Sequence, residues 1–177
     1  FPIFCPTTHG IGGKPMNTNY LSKLNVDWGI GTDCSGGNDD YDMLEEMRTA
    51  LILNNSVTQD GFIKPKDIFR KASEENITRI SGGIFSGTLS KNQKADFITI
   101  LLNTPRMQPL HDVVNNIVMC ASSREVNDVY VNGECILKDS KFQNIDEETI
   151  LEEGMKALNS LFNKTGFDKK ILDGDFS

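Results

Sequence analysis

The stretch GTDCSGGNDDYDMLEEMR, residues 31–48, decides the fold. It carries a short apolar run, VDWGI at residues 26–30, into an aspartate, turns through Gly36 and Gly37, and opens an amphipathic helix. From about Asp40 the apolar residues Met43, Leu44, Met47, Ala50 and Leu51 recur at helical spacing and form one stripe. Asp39, Asp40, Asp42, Glu45 and Glu46 crowd the first turns, where a helix macrodipole favours acids. A strand that ends in Asp33 and is followed by a helix is the grammar of a parallel β/α unit, in which the carboxyl ends of strands collect functional groups. Spacing alone leaves Asp33 open as metal ligand, general base, helix cap or solvated loop. Asp39 and Asp40 stand closer to the helix start and are the better caps.

Outward from this stretch, residues 1–5 form a second apolar run, stopped by Pro6, and both runs fit buried strands. Phe1 opens the sequence on a strand already under way, which reads as a chain entered in the middle. Between the runs, THGIGGKPMNTN has loop composition. Its Gly-x-Gly-Gly-Lys lacks the spacing and the following Ser or Thr of a phosphate loop, and Pro15 blocks the helix that should open there. Pro65 to about Glu75 predicts a second helix with Pro in its first turn.

Near residue 84 the grammar changes. SGGIFSGT is a glycine and serine hinge, and strands are expected at residues 97–102, 117–121, 126–131 and 134–137, the last two joined by the hairpin signal Asn132-Gly133. Asp146 then caps a final helix whose residues Ile150, Leu151, Met155, Leu158 and Phe162 make one apolar face, with Gly166 after its end and a terminal segment beyond. The expected divisions are therefore residues 1–84, 85–143 and 144–177.

The chain has 177 residues, 38% hydrophobic and 24% charged, which is the composition of an ordinary globular protein. A net charge of -7 argues against a nucleic-acid groove or an anionic membrane surface, since both need a concentrated positive field. No stretch reaches the ~18 apolar residues of a spanning helix. Small-molecule or protein partners are expected. Cys5, Cys34, Cys120 and Cys135 form no C-x-x-C pair and predict free thiols in a reducing, cytoplasmic setting.

The remaining chemistry is sparse. A calcium loop starting at Asp33 would put Leu44 where a bidentate Glu belongs and Ser35 and Gly37 at ligand positions, so calcium is excluded. His9 follows the first strand and could share a mouth with Asp33, which makes it a candidate substrate-binding residue beside its reading as a loop histidine. His111, placed before an expected strand, reads as structural. Cys34 beside the Asp33 carboxylate is expected to have a raised thiol pKa, which opposes nucleophilic use.

Taken together, GTDCSGGNDDYDMLEEMR resembles the segment that ends the last barrel strand in metal-dependent amidohydrolases of the aminohydrolase branch. That branch includes methylthioadenosine and S-adenosylhomocysteine deaminases, guanine deaminase and triazine chlorohydrolases. FCPTT is similar to that family's Cys-Pro-x-Ser strand end. SGTLSKNQKADFITI resembles its Gly-Ser-Leu, Gly-Lys, Ala-Asp strand entry, and QPLHDVVNNIVMCASSREVNDVYVNGECILKD resembles its C-terminal β-subdomain. The resemblance spans nearly all of the chain. It implies an α/β fold: a C-terminal fragment of a (β/α)8 TIM-type barrel, the last two strands and helices, plus part of a small β-sandwich-like subdomain and a C-terminal helix. A complete barrel takes ~250 residues, and about 84 residues precede the change of grammar here.

The resemblance further implies a divalent metal, zinc first and iron second, with Asp33 as metal ligand and as the base that accepts a proton from activated water. The substrate expected is a small purine-like N-heterocycle, the assembly a homo-oligomer. The family's His-x-His pair and further barrel histidines are not among His9 and His111, so the isolated chain is expected to be inactive and to hold no metal tightly. Three departures stand out: Thr8-His9 where Ser-Asn is usual, Gly37 where Ser is common, and RKASEENITRISG in place of an Ala-Thr-x-x-Gly-Ala helix. A different reading makes these residues a complete, non-catalytic interaction or oligomerisation module, because open sheet edges invite partners.

Overall fold

A computed structural model describes residues 1–15, 17–58 and 62–166. They fall into two compact units, one from Phe1 to Ser140 and one beginning at Lys141.

The first unit starts with two short parallel strands, β1 (Ile3–Phe4) and β2 (Gly29–Ile30), with Ile3 opposite Gly29 and Phe4 opposite Ile30. Parallel strands need a crossover. Two short helices provide it, α1 (Pro6–Ile11) and α2 (Thr18–Lys23), where the sequence predicted loop. Pro6 has its φ preset for a first helical turn and no N–H to leave unpaired, and Asn17 caps α2 by accepting the Tyr20 N–H at 3.1 Å. Pro15 lies between the two helices, as its missing N–H requires.

After β2 come a single turn, α3 (Ser35–Asn38), and the long helix α4 (Met43–Val57). The cap of α4 is Asp42, whose Oδ1 accepts the N–H groups of Leu44 at 2.9 Å and Glu45 at 3.2 Å. Asp39 and Asp40, expected as caps, do other things: Asp39 closes α3 with φ of 64°, and Asp40 accepts the Asp42 N–H. Leu44, Met47, Ala50 and Leu51 are buried, as their stripe predicts. Glu46 is buried with them.

Helix α5 (Pro65–Arg70) runs through a π turn at Lys71–Glu75 into α6 (Asn76–Ile80), one turn beyond the predicted end. The π turn sets Asn76 against β2, where its Oδ1 accepts the Ile30 N–H at 3.1 Å and its Nδ2 donates to the Ile30 carbonyl at 2.5 Å. Gly29 must lack a side chain there, since a Cβ would stand 2.4 Å from Asn76 Oδ1. Asp27, just before β2, bonds Lys71 Nζ at 2.6 Å and Arg79 Nε at 2.7 Å. The Lys71 hydrogen bond, assisted by Arg79 and opposed by partial burial, holds the Asp27 carboxyl below the usual range.

The hinge SGGIFSGT turns at Gly82, Gly83 and Gly87, all with positive φ. Beyond it, β3 (Phe97–Ile100) pairs antiparallel with β4 (Val126–Val131), which pairs antiparallel with β5 (Glu134–Lys138). The β4–β5 turn has φ of 51° at Asn132 and 81° at Gly133, the pair of positive values that the Asn-Gly signal predicts.

Residues 117–121, expected as a strand, lie instead in and just after helix α7 (Val113–Cys120), capped by Asp112 through the Asn115 N–H at 2.9 Å. A short apolar run does not by itself separate a strand from a buried helix segment. His111 therefore precedes a helix, exposed, with its ring 3.4 Å from the Pro109 carbonyl. Phe4, Trp28, Ile30, Leu44, Met47, Ile68, Met107 and Val118 belong to one continuous core that seats α4, α5 and α7 beside the strand pair.

The second unit holds a short strand, β6 (Lys141–Phe142), and helix α8 (Glu147–Thr165), capped by Asp146 through the Thr149 N–H and ended by Gly166 at φ of 63°. Ile150, Leu151, Met155 and Leu158 on its apolar face are exposed. The expected terminal segment, residues 167–177, lies outside the described residues. All four cysteines are free. No helix among the described residues is long and apolar enough to cross a membrane.

Candidate functional site

Because β1 and β2 are parallel, their carboxyl ends open on the same side and bring Cys5 and Asp33 together. Asp33 has φ of 63°, a left-handed conformation that aspartate tolerates better than most residues. Its Oδ1 accepts the Cys34 N–H at 2.8 Å. Its Oδ2 accepts no hydrogen bond from any described residue, and the residue is exposed. Burial pushes the Cys5 thiol pKa up, and the negative field of Asp33 adds to it. Cys5 is thereby a neutral neighbour of the carboxylate.

The turn after Asp33 is tied down from below. Asn38 is buried, and its Nδ2 donates to the Thr32 carbonyl at 2.9 Å and to Glu46 Oε1 at 2.8 Å. The other Glu46 oxygen, Oε2, accepts the Thr7 N–H at 3.1 Å, on the segment that follows β1. Gly37 packs against Thr8, and a Cβ on Gly37 would also lie 3.4 Å from Asp33 Oδ2.

His9 sits in α1 with its ring stacked on Phe4, centroids 5.4 Å apart and planes 22° apart. Its Nδ1 is buried without a hydrogen-bond partner. The geometry thus joins Asp33 to Cys5, Thr8 and Gly37 at one mouth, while His9 packs on the core and His111 stands apart. Asn38 and Glu46 are absent from the sequence-based candidates. Their one available signal is that Glu46 falls three residues after Met43 and four before Ala50, inside the apolar stripe.

No group of three His, Cys, Asp or Glu side chains among the described residues could hold a metal ion. Asp33, with one carboxylate oxygen anchored and the other free, fits as one member of a larger ligand set.

The sequence profile of the Amidohydrolase family matches residues 17–136. The 5-methylthioadenosine/S-adenosylhomocysteine deaminases of Bacillus cytotoxicus and Bacillus cereus are each 30% identical over 152 residues, covering 85% of this chain and 35% of their own. The chain thus spans about a third of the length of these curated relatives. Among solved structures, a zinc-bound adenosine deaminase from Xanthomonas campestris matches with a TM-score of 0.85 at 24% identity, over 91% of this chain and 37% of that one. An atrazine chlorohydrolase from Arthrobacter aurescens complexed with zinc and atraton matches with a TM-score of 0.77 at 18% identity, over 87% and 35%. E. coli guanine deaminase matches with a TM-score of 0.66 at 22% identity, over 77% and 33%. These likenesses establish the fold as the mixed α/β architecture of those enzymes. With a profile match over most of its residues and curated relatives at this identity, the chain belongs to the amidohydrolase family.

Proposed function

We propose that this chain is the C-terminal part of a metal-dependent hydrolase that deaminates a small purine-like N-heterocycle. On this reading residues 1–84 complete the barrel, residues 85–143 belong to the β-subdomain and residues 144–177 carry the C-terminal helix. The observation that supports it most directly is Asp33: a strand-end carboxylate with one oxygen fixed by the Cys34 N–H and the other open. Family membership and the deaminase names of the relatives point the same way.

A divalent ion, zinc or failing that iron, would supply a water of lowered pKa, near ~7, as the nucleophile. Asp33 Oδ2 would hold that ion as one of several ligands. The same carboxylate would accept a proton from the attacking water and return it to the departing amine. The carbon–nitrogen bond breaks, a carbon–oxygen bond forms, and ammonia leaves with the proton. Anchoring of Oδ1 keeps Asp33 from rotating away between the two transfers.

The experiment is to express the uninterrupted reading frame containing this chain. The expected product carries a His-x-His pair at a first barrel strand, binds zinc or iron, and releases ammonia from a purine nucleoside or base. Asp33→Asn is expected to lower kcat by about 10²- to 10⁴-fold, the range for losing a positioned proton carrier. A reading frame with no such pair and no divalent metal would overturn the proposal.

A further inference from the structure

Resting on that reading of Asp33, we infer that Glu46 is a positioning residue for it, a buried carboxylate that fixes the distance between the two strand ends. Glu46 is 1% exposed and has no cation beside it among the described residues. A carboxylate removed from water in this way persists only where N–H donors satisfy it. Its donors are Thr7 N, at 3.1 Å on the β1 side, and Asn38 Nδ2, at 2.8 Å on the β2 side. The second hydrogen of the same Asn38 amide goes to the Thr32 carbonyl at 2.9 Å, one residue before Asp33. A continuous path of hydrogen bonds therefore runs from the main chain after β1, through Glu46 and Asn38, to the main chain that presents Asp33.

Two further facts fit this role. The left-handed backbone of Asp33 is a conformation that surrounding structure must hold in place. Glu46 also sits on α4, a 15-residue helix seated in the core, so its reference point is rigid. Packing alone would be served by Leu or Met at this point of the stripe. Only a group with two acceptors answers two donors. Gln supplies one acceptor and one NH2, which would face the Thr7 N–H or the Asn38 amide donor to donor.

The test uses the intact protein loaded with Co²⁺ alone, whose visible bands report coordination geometry. Glu46→Gln is expected to shift those bands, weaken Co²⁺ binding about tenfold, as for other supporting hydrogen bonds around metal ligands, and speed amide exchange across residues 31–38. Asn38→Ala, which removes the same link from the other side, is expected to do likewise should Glu46→Gln fail to fold. If the wild-type protein binds no Co²⁺, the hydrolase reading itself falls. If it binds Co²⁺ and Asp33→Asn perturbs binding, while Glu46→Gln or Asn38→Ala leaves bands and exchange unchanged, the positioning role of Glu46 is overturned and the hydrolase reading stands.

Discussion

Gly37 and Thr8 share one space: a Cβ on Gly37 would stand 3.2 Å from Thr8 Oγ1 and 3.3 Å from Thr8 Cγ2. Both are positions that the sequence resemblance marks as departures, Ser being usual at residue 8 and common at residue 37. A side chain at residue 37 would be crowded by both the hydroxyl and the methyl of Thr8, so the two positions are sterically linked. Gly37→Ser is expected to destabilise the chain by about 1–3 kcal/mol through overpacking. Adding Thr8→Ser removes the Cγ2 contact at 3.3 Å while keeping the hydroxyl, and should recover part of that loss. A double-mutant cycle by urea unfolding would give a coupling of about 1 kcal/mol, whereas additive effects would show the two sites to be independent.

At Asp33 the fold and the chemistry make separable demands. Asn tolerates the left-handed conformation and keeps an oxygen for the Cys34 N–H, so Asp33→Asn should leave the unfolding free energy within about 0.5 kcal/mol. Asp33→Ala loses both advantages and should destabilise by about 1–3 kcal/mol. Equal destabilisation by the two substitutions would mean that Asp33 is retained for its charge in the fold.

Metal content of the 177-residue chain follows from its donors. Asp33 is one carboxylate, and catalytic zinc sites use about three protein ligands. Plasma emission after dialysis should find far less than one zinc or iron per chain, and ammonia release from purine substrates should stay at background. One tightly held ion per chain would require ligands that sequence and geometry do not reveal.

The Asp27 cluster sets a pH dependence. Its folded pKa is depressed chiefly by the Lys71 hydrogen bond, so its contribution is present above the unfolded carboxylate value and is lost as pH falls through the folded one. Asp27→Asn should therefore lower the melting temperature at pH 7, and the gap to wild type should close as pH drops below ~4. The effect is at most about 1 kcal/mol, because the carboxylate is 33% exposed and screened by solvent. A gap that persists unchanged to low pH would assign the loss to geometry and not to charge.

What the sequence reveals divides by range. The two strands before Pro6 and Asp33, the Asn132-Gly133 turn and the Asp146 cap are local, each written in adjacent residues, and each is present in the fold. Residues 117–121 misled because a run of apolar residues carries no period of its own, while Asp112 before them was the helix signal to weigh. The end of the second predicted helix was missed for a similar reason, since nothing at Glu75 stops a helix that a π turn can carry further. The position of Asp33 is legible because it depends on the strand that precedes it. The support beneath it is not, because Glu46 meets Thr7 across 39 positions of chain and only the packed α4 brings them together.

The pairing of Asn76 with Ile30 changes what happens at the outer edge of β2. The Gly29 and Gly31 N–H groups face β1, so the N–H and carbonyl of Ile30 are the groups that another strand would have to engage. Asn76 has already taken both with a single amide. Sheet growth on that side is therefore an exchange and not an addition: an arriving strand, from a second copy or from elsewhere in a barrel, must first evict a side chain. Residue 76 therefore sets how readily the chain accepts a neighbour along β2.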